Sequence, residues 1–390
     1  MKHVFFIYIT IVLLIPTTGT ACSMYKLTKN GRTIVGNNED YFSPNSQFWF
    51  ETGTKNTFGV MYMGLLNNFA QGAMNESGLV FDGFWEPYLE VKNIDGKLEI
   101  PIADAIRNVM QTMTHVEDVK KYLQTINLYS LANGQLVFVD KSGTYLIVEG
   151  DEMFMGDESE KTFSNFYYSQ IESLGDVKLD YFQKGQNFIH STETKPTLEY
   201  CSNAMQNFAQ SRLAPTQYST IYDLKTLKIR VYLYHDFSEF IELDLKKELK
   251  KGNHRTMIAE LFPKNSKGYL HYKKYNNPEN PVLFLQEYLG DNEITEQEFL
   301  NNGFDNVINE IGYEWMNDIK NPNGAIKVFE YGVEIMPNNS NLYDSLGEAH
   351  FIKKDWNNAI KNYAKSLFLN PENKNAIKKI AEINQLREMR

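Results

Sequence analysis

Cys22 is the residue of this chain whose type and place best suit covalent chemistry. Lys2 and His3 form a short polar start, Val4 to Ile15 is an apolar run, and Gly19 and Ala21 put small residues where a signal peptidase reads. The pattern predicts a cleaved export signal over 1–21, which would make Cys22 the first residue of the mature chain. The apolar run is too short to span a bilayer. An N-terminal cysteine carries a thiol that titrates near ~8.5 beside an α-amine that titrates near ~8, so a proton passes between them at little cost. Such a residue is an acyl-transfer nucleophile with its own base. Two other fates are open to it. Lipid attachment is one, although Gly19 stands where that processing prefers a Leu-like residue; a disulfide to Cys201, in an oxidising compartment, is the other.

The elements that must position Cys22 follow directly. Two β-type runs flank Asn30-Gly31, the pair best suited to a tight hairpin turn, so the chain returns Gly36 to Asp40 toward Cys22. A carboxylate there, Asp40, can hold or orient the α-amine.

The run Gly36-Asn37-Asn38-Glu39-Asp40-Tyr41 after a cysteine, a strand and a turn resembles the start of the choloylglycine hydrolase and penicillin V acylase family of N-terminal-nucleophile hydrolases. Further segments follow in that family's order. These are Met74-Asn75-Glu76-Ser77-Gly78-Leu79, then Gly83 and Pro87, the hairpin Leu136 to Glu149, Thr162-Phe163-Ser164-Asn165-Phe166, and Thr216 to Asp223 running into Ile229 to Leu233. The resemblance spans roughly residues 22–250. It implies an α+β fold, a four-layer αββα sandwich, and hydrolysis of a non-peptide linear amide. Cys22 would be the nucleophile, Asp40 would position its amine, and Asn165 would stabilise the oxyanion. Asn37 stands where the family has an arginine, and Trp85 is nearest to its second oxyanion position; both are substrate-binding candidates. The family's late arginine has no secure counterpart, since Ser211-Arg212-Leu213 lacks the usual pattern. Bile salts and penicillin V are therefore not the expected substrates. Acyl transfer to an amine instead of water uses the same residues.

Composition bounds the rest. At 390 residues, 42% apolar, the chain can build one large core and a smaller unit, and a net charge of −10 disfavours nucleic acid and anionic membranes as partners. The histidines of the mature chain show no metal-ligand spacing with one another or with a cysteine, and there is no Gly-x-Ser-x-Gly elbow or phosphate loop. No metal or cofactor is expected. Ile102, Ala105, Ile106 and Val109, then Val116, Val119 and Leu123, recur at helical spacing, with Thr114 as the cap of the second helix. Residues 251–302 read as a linker with short helices.

Over 303–390 an internal repeat emerges. Ala325-Ile326-Lys327 and Pro337 recur 34 residues later as Ala359-Ile360-Lys361 and Pro371, the tetratricopeptide period, with a capping helix from Asn375. These repeats are open to a protein or peptide partner, or to merely covering a surface. With their own apolar periodicity, a chain ended near Asn302 is expected to remain a folded hydrolase. The expected setting is exported, periplasmic or extracellular. A lipid-anchored, inactive adaptor that binds through its repeats is the rival from outside enzymes.

Overall fold

The computed structural model describes residues 22–211, 214–289, 295–301 and 303–388. The expected signal peptide, 1–21, and Arg212 lie outside the described residues.

Asn30 and Gly31 both adopt positive φ, 56° and 67°, the backbone that matches the twist of the strands it joins. They connect β1 (Ser23–Lys29) to β2 (Arg32–Asp40), with Lys29 opposite Arg32 and Ser23 opposite Asn38. Cys22 therefore comes level with Glu39. The chain continues through β3 (Ser46–Glu51), β4 (Val60–Leu65), β5 (Ala70–Asn75), β6 (Val80–Trp85), β7 (Gly134–Val139), β8 (Tyr145–Glu149) and β9 (Glu152–Gly156). After these come β10 (Glu160–Ser164), β11 (Thr216–Asp223), β12 (Lys228–Leu233), β13 (Asp236–Asp244) and β14 (His254–Met257). Among the described residues they form two antiparallel sheets, ordered β10-β1-β2-β11-β12-β13 and β14-β3-β4-β5-β6-β7-β8-β9.

The two sheets face each other across one apolar layer that includes Met24, Val35, Phe48, Met61, Val137, Phe163 and Val231. Outside the larger sheet lie α1 (Ile102–Thr112) and α2 (Val116–Leu123), which bury the apolar positions expected from their spacing. His115, not Thr114, precedes α2, and it makes no side-chain cap. Outside the smaller sheet lie α3 (Asp180–Ser191) and α4 (Leu198–Phe208), which bury Phe182, Ile189, Tyr200, Ala204, Met205 and Phe208. The result is the expected α+β fold, a four-layer αββα sandwich. Gly36 is required here, because a Cβ on it would lie 2.5 Å from Met205 Cγ and 2.9 Å from Cys201 Sγ. Both cysteines are free and buried.

Family-like motifs far from Cys22 turn out to be structural. Asn75 Oδ1 accepts from Ser77 N and Leu79 N, its Nδ2 donates to Met110 O and Met113 O, and Gly78 has φ 87°. The side chain thus fastens the β5–β6 turn to the end of α1.

The stretch expected as a linker does carry short helices, α5 (Leu245–Leu249) just before it, then α6 (Lys267–Tyr275), α7 (Leu283–Leu289) and α8 (Glu296–Asn301). It also completes the sandwich. β14 pairs with β3, and Ile258, Ala259 and Phe262 enter the layer between the sheets. Apolar residues next to a short β-compatible run carried that signal, and their separation from the other strands hid it.

Beyond it, α9 (Phe304–Tyr313) runs into a π-helical turn, Glu314–Asp318, and α10 (Pro322–Ile335), α11 (Ser340–Ile352), α12 (Trp356–Leu369) and α13 (Lys374–Glu388) follow, each packed on the next. The repeat has a physical basis. A Cβ on Gly312 would lie 2.3 Å from the Phe329 ring, and one on Gly347 would lie 2.8 Å from the Tyr363 ring, so each helix pair closes by an aromatic ring over a glycine.

These helices share a core with the rest. Phe42, just past β2, with Ala214 and Tyr275, belongs to one buried cluster with Phe304, Ile308, Trp315 and Phe329. Glu314 ties the seam, accepting from Ser43 Oγ (2.8 Å), Asn45 Nδ2 (2.9 Å) and Tyr275 OH. This shared core weighs against the expectation that a chain ended near Asn302 stays folded.

Candidate active site

Cys22 sits at the start of β1, 5% exposed, with Ser23 paired to Asn38 on one side and to Ser164 on the other. Its carbonyl accepts from Ser164 Oγ at 2.6 Å, and that hydroxyl contacts Tyr181 OH at 2.8 Å. Its Sγ donates to Glu39 Oε2 at 3.3 Å. The residue also lines a cavity of about 1380 Å³ that runs from the sheets to the C-terminal helices.

Strand alternation explains the surroundings. Cys22 and Met24 face the layer between the sheets, and so do Asn37 and Glu39 across the pairing. Asn37 Nδ2 donates to Glu39 Oε1 and to Asp82 Oδ2 of β6, both at 2.7 Å, and its Oδ1 accepts from Thr220 Oγ1 at 2.6 Å. Asn37 is 2% exposed and its amide hydrogens are taken, so it spans two carboxyls and does not line the cavity. Its amide thus holds Glu39 and Asp82 together, and its expected contact with substrate is untested. Asp40, on the other face of β2, accepts from Thr216 Oγ1 and, at 2.6 Å, from Gln210 Nε2.

The electrostatics follow from three buried carboxyls, Glu39 and Asp82 in the layer between the sheets and Asp40 on the other face of β2. Burial pushes Glu39 up, to about 7, and raises Asp82 and Asp40 above the ordinary carboxyl range. Burial, then the charges of Glu39, Asp40 and Asp82, push the Cys22 thiol up, and a backbone hydrogen bond from Asp40 opposes this. The balance favours the protonated thiol.

Asn165 follows Ser164, the residue opposite Ser23, so it stands beside Cys22 at the end of β10. Its Nδ2 donates to Trp85 O at 2.6 Å, leaving one amide hydrogen, while its Oδ1 has no partner among the described residues. Trp85, 49% exposed, lines the cavity. The two oxyanion candidates, 80 residues apart in sequence, thus meet. Sequence reasoning passed over Glu39 and Asp82. Glu39 was legible, since it shares the strand face of Asn37 and falls level with Cys22; Asp82 had no local signal. Among the described residues one group could hold a metal ion, His115, Glu117 and Asp140. It lies off the cavity wall, and Asp140 Oδ1 already caps Ser142 N and Oγ in the β7–β8 turn.

Residues 28–156 match the model of the linear amide C–N hydrolases, choloylglycine hydrolase family. The match begins after Cys22 and ends before Asn165, and it covers the Gly36–Tyr41 run, the Asn75 turn and the β7–β8 hairpin. No curated protein matches the chain. Among solved structures, a penicillin V acylase from Agrobacterium tumefaciens is similar at 15% identity, over 60% of this chain and 90% of that one, with a TM-score of 0.46. Over residues 28–156, then, this chain is similar to the linear amide C–N hydrolases of the choloylglycine hydrolase family.

Proposed function

We propose that this protein hydrolyses a non-peptide linear amide, with Cys22 as an N-terminal nucleophile once export has removed residues 1–21. The observation that carries the reading is the position of Cys22, on the wall of the large cavity and in contact with a carboxyl that burial has raised. Cys22 Sγ attacks the amide carbonyl while its own α-amine takes the thiol proton. The carboxyls that disfavour the thiolate favour the ammonium, so Glu39 and Asp82 offset the arginine that Asn37 replaces. Asp40 orients the amine. The remaining amide hydrogen of Asn165 and a backbone N–H at Trp85 stabilise the tetrahedral oxyanion, the ammonium returns its proton to the leaving amine, and water releases the acid. The C-terminal helices are read as tetratricopeptide repeats with a capping helix, available to a protein or peptide partner, and the protein as periplasmic or extracellular.

The test is mass analysis of the purified mature chain, with turnover of N-acyl amides by the protein and by Cys22→Ala. A bare Cys22 at the N-terminus and turnover lost in Cys22→Ala are expected. A diacylglyceryl-modified Cys22 without turnover would leave the lipid-anchored adaptor instead.

A further inference from the structure

The cavity that Cys22 lines has two unlike walls. One comes from the sheets, the other from α9 and the π-helical turn, which contribute Asn306, Glu310, Tyr313, Asn317 and Asp318. Its charge is one-sided. Among the described residues, Glu39, Glu51, Asp104, Glu310, Glu314 and Asp318 line it, against Arg107 as the sole basic one. Arg107 is committed to Glu51, at 2.9 Å, so no free cation remains among the described lining residues to meet an anionic substrate.

The acids are not equivalent. Glu314 is consumed by the seam, and Glu39 by Cys22 and Asn37. Among the described residues, Glu310 accepts only from Tyr41 OH, at 3.1 Å, and Asp318 forms no ion pair. Burial raises the Glu310 carboxyl, and a cation seated beside it would restore its charge.

Two further features point to the kind of ligand. Trp85 and Phe69 expose about half of their surface, 49% and 58%, and both line the cavity. Aromatic faces attract alkylammonium and guanidinium groups. Independently, Gln135, fully buried and on the same lining, has an Oε1 with no partner among the described residues, an acceptor in want of a donor. Such an atom suits an N–H group and is unfavourable next to a carboxylate.

We infer that the C-terminal helices select the substrate of the hydrolase site, favouring linear amides that carry a positively charged group, with Glu310 and Asp318 as the selecting residues. The inference rests on the proposed hydrolytic function for the meaning of the cavity. A single acyl chain joined to ethylenediamine, ethanolamine or glycine gives cationic, neutral and anionic amides of similar shape, and a 6-aminohexanoyl amide moves the cation to the acyl side.

The experiment measures binding of this set at pH 8 to the full mature chain bearing Cys22→Ala, by calorimetry, with turnover by the unsubstituted protein in parallel. At least one cationic member should bind about tenfold or more tightly than the neutral one, with the anionic one weakest. In the background of Cys22→Ala, Glu310→Gln with Asp318→Asn should abolish that preference and leave the neutral amide unchanged. Equal or tighter binding of the anionic amide, a preference that survives the double substitution, or binding of no member would overturn the inference. Turnover of the neutral amide without cationic preference would sink the selection alone. Charge-selective binding without turnover by the unsubstituted protein would sink the hydrolytic function and leave the selection standing.

Discussion

The floor and the helical wall of one cavity both push buried acids toward their neutral form, but they do so among different partners. At the floor, Cys22, Glu39, Asn37 and Asp82 form a single chain of contacts in the dry layer between the sheets, and every titrating member is displaced toward its neutral form. At the wall, Glu314 is fixed by three donors from two segments, the loop after β2 and α6, and it works as a rivet between these and the C-terminal helices. The floor acid Glu39 meets a thiol and an amide beside neighbouring carboxyls, whereas Glu314 meets two hydroxyls and an amide from segments that it joins. Burial alone does not separate the two.

The largest expected effect breaks the wall altogether. Ending the chain after Asn301 exposes Phe42, Tyr275 and their neighbours, and at roughly 1.5–3 kcal/mol per large apolar side chain a few such losses exceed the stability of an ordinary domain. Loss of soluble protein on expression is expected, and a monomeric, cooperatively melting truncation would show that the sandwich stands alone.

At the floor, Asn165→Ala removes an oxyanion donor, and kcat should fall ~100- to 1000-fold with the melting temperature little changed. A fall confined to KM would move Asn165 from the transition state to ground-state binding.

Glu314→Ala leaves Ser43, Asn45 and Tyr275 without their acceptor and should cost about 2–4 kcal/mol of stability, read by denaturant unfolding. Wild-type stability would mean that the seam is held by its apolar cluster alone.

The smallest effect concerns pH. Glu39 has its carboxyl raised from 4.5 to about 7 in the folded chain, so the unfolded chain releases this proton first as pH rises. Stability from this group is then fully present below pH ~4.5 and lost as pH climbs toward 7, on the order of 1–3 kcal/mol. Asp82 and Asp40 act in the same direction. Melting temperatures from pH 4.5 to 8 should fall, and less steeply in Glu39→Gln; identical slopes would remove Glu39 from the titration.

How far the sequence reached follows the same division. The hairpin at Asn30-Gly31 and the apolar faces of α1 and α2 are local patterns, and each is present in the fold; the C-terminal region is helical, as its periodicity suggested. The αββα layering came from the order of family-like motifs. Its second helical layer, α3 and α4, was passed over, although Tyr200, Ala204, Met205 and Phe208 are spaced for one helix face. What stayed hidden needed two distant segments at once. Asp82 meets Asn37 only because the sheets stack, Trp85 meets Asn165 across 80 residues, and Glu310 reaches the cavity only because Phe42 and Tyr275 dock the helices. A side chain's own stretch of sequence carries no trace of such a partner.

The central claim is that the α-amine of Cys22, not Glu39, takes the thiol proton. Inserting one alanine between Ala21 and Cys22, with cleavage still before the alanine, keeps the thiol and Glu39 but turns that amine into an amide. The new terminal amine sits about 3.8 Å further along the chain, the spacing of adjacent Cα atoms. With the mature N-terminus verified by mass, amide hydrolysis should fall ~100- to 10,000-fold, the range of a lost general base, while the melting temperature holds. Near-normal turnover in the insertion variant would contradict the account and pass the base to Glu39, the carboxyl 3.3 Å from the sulfur.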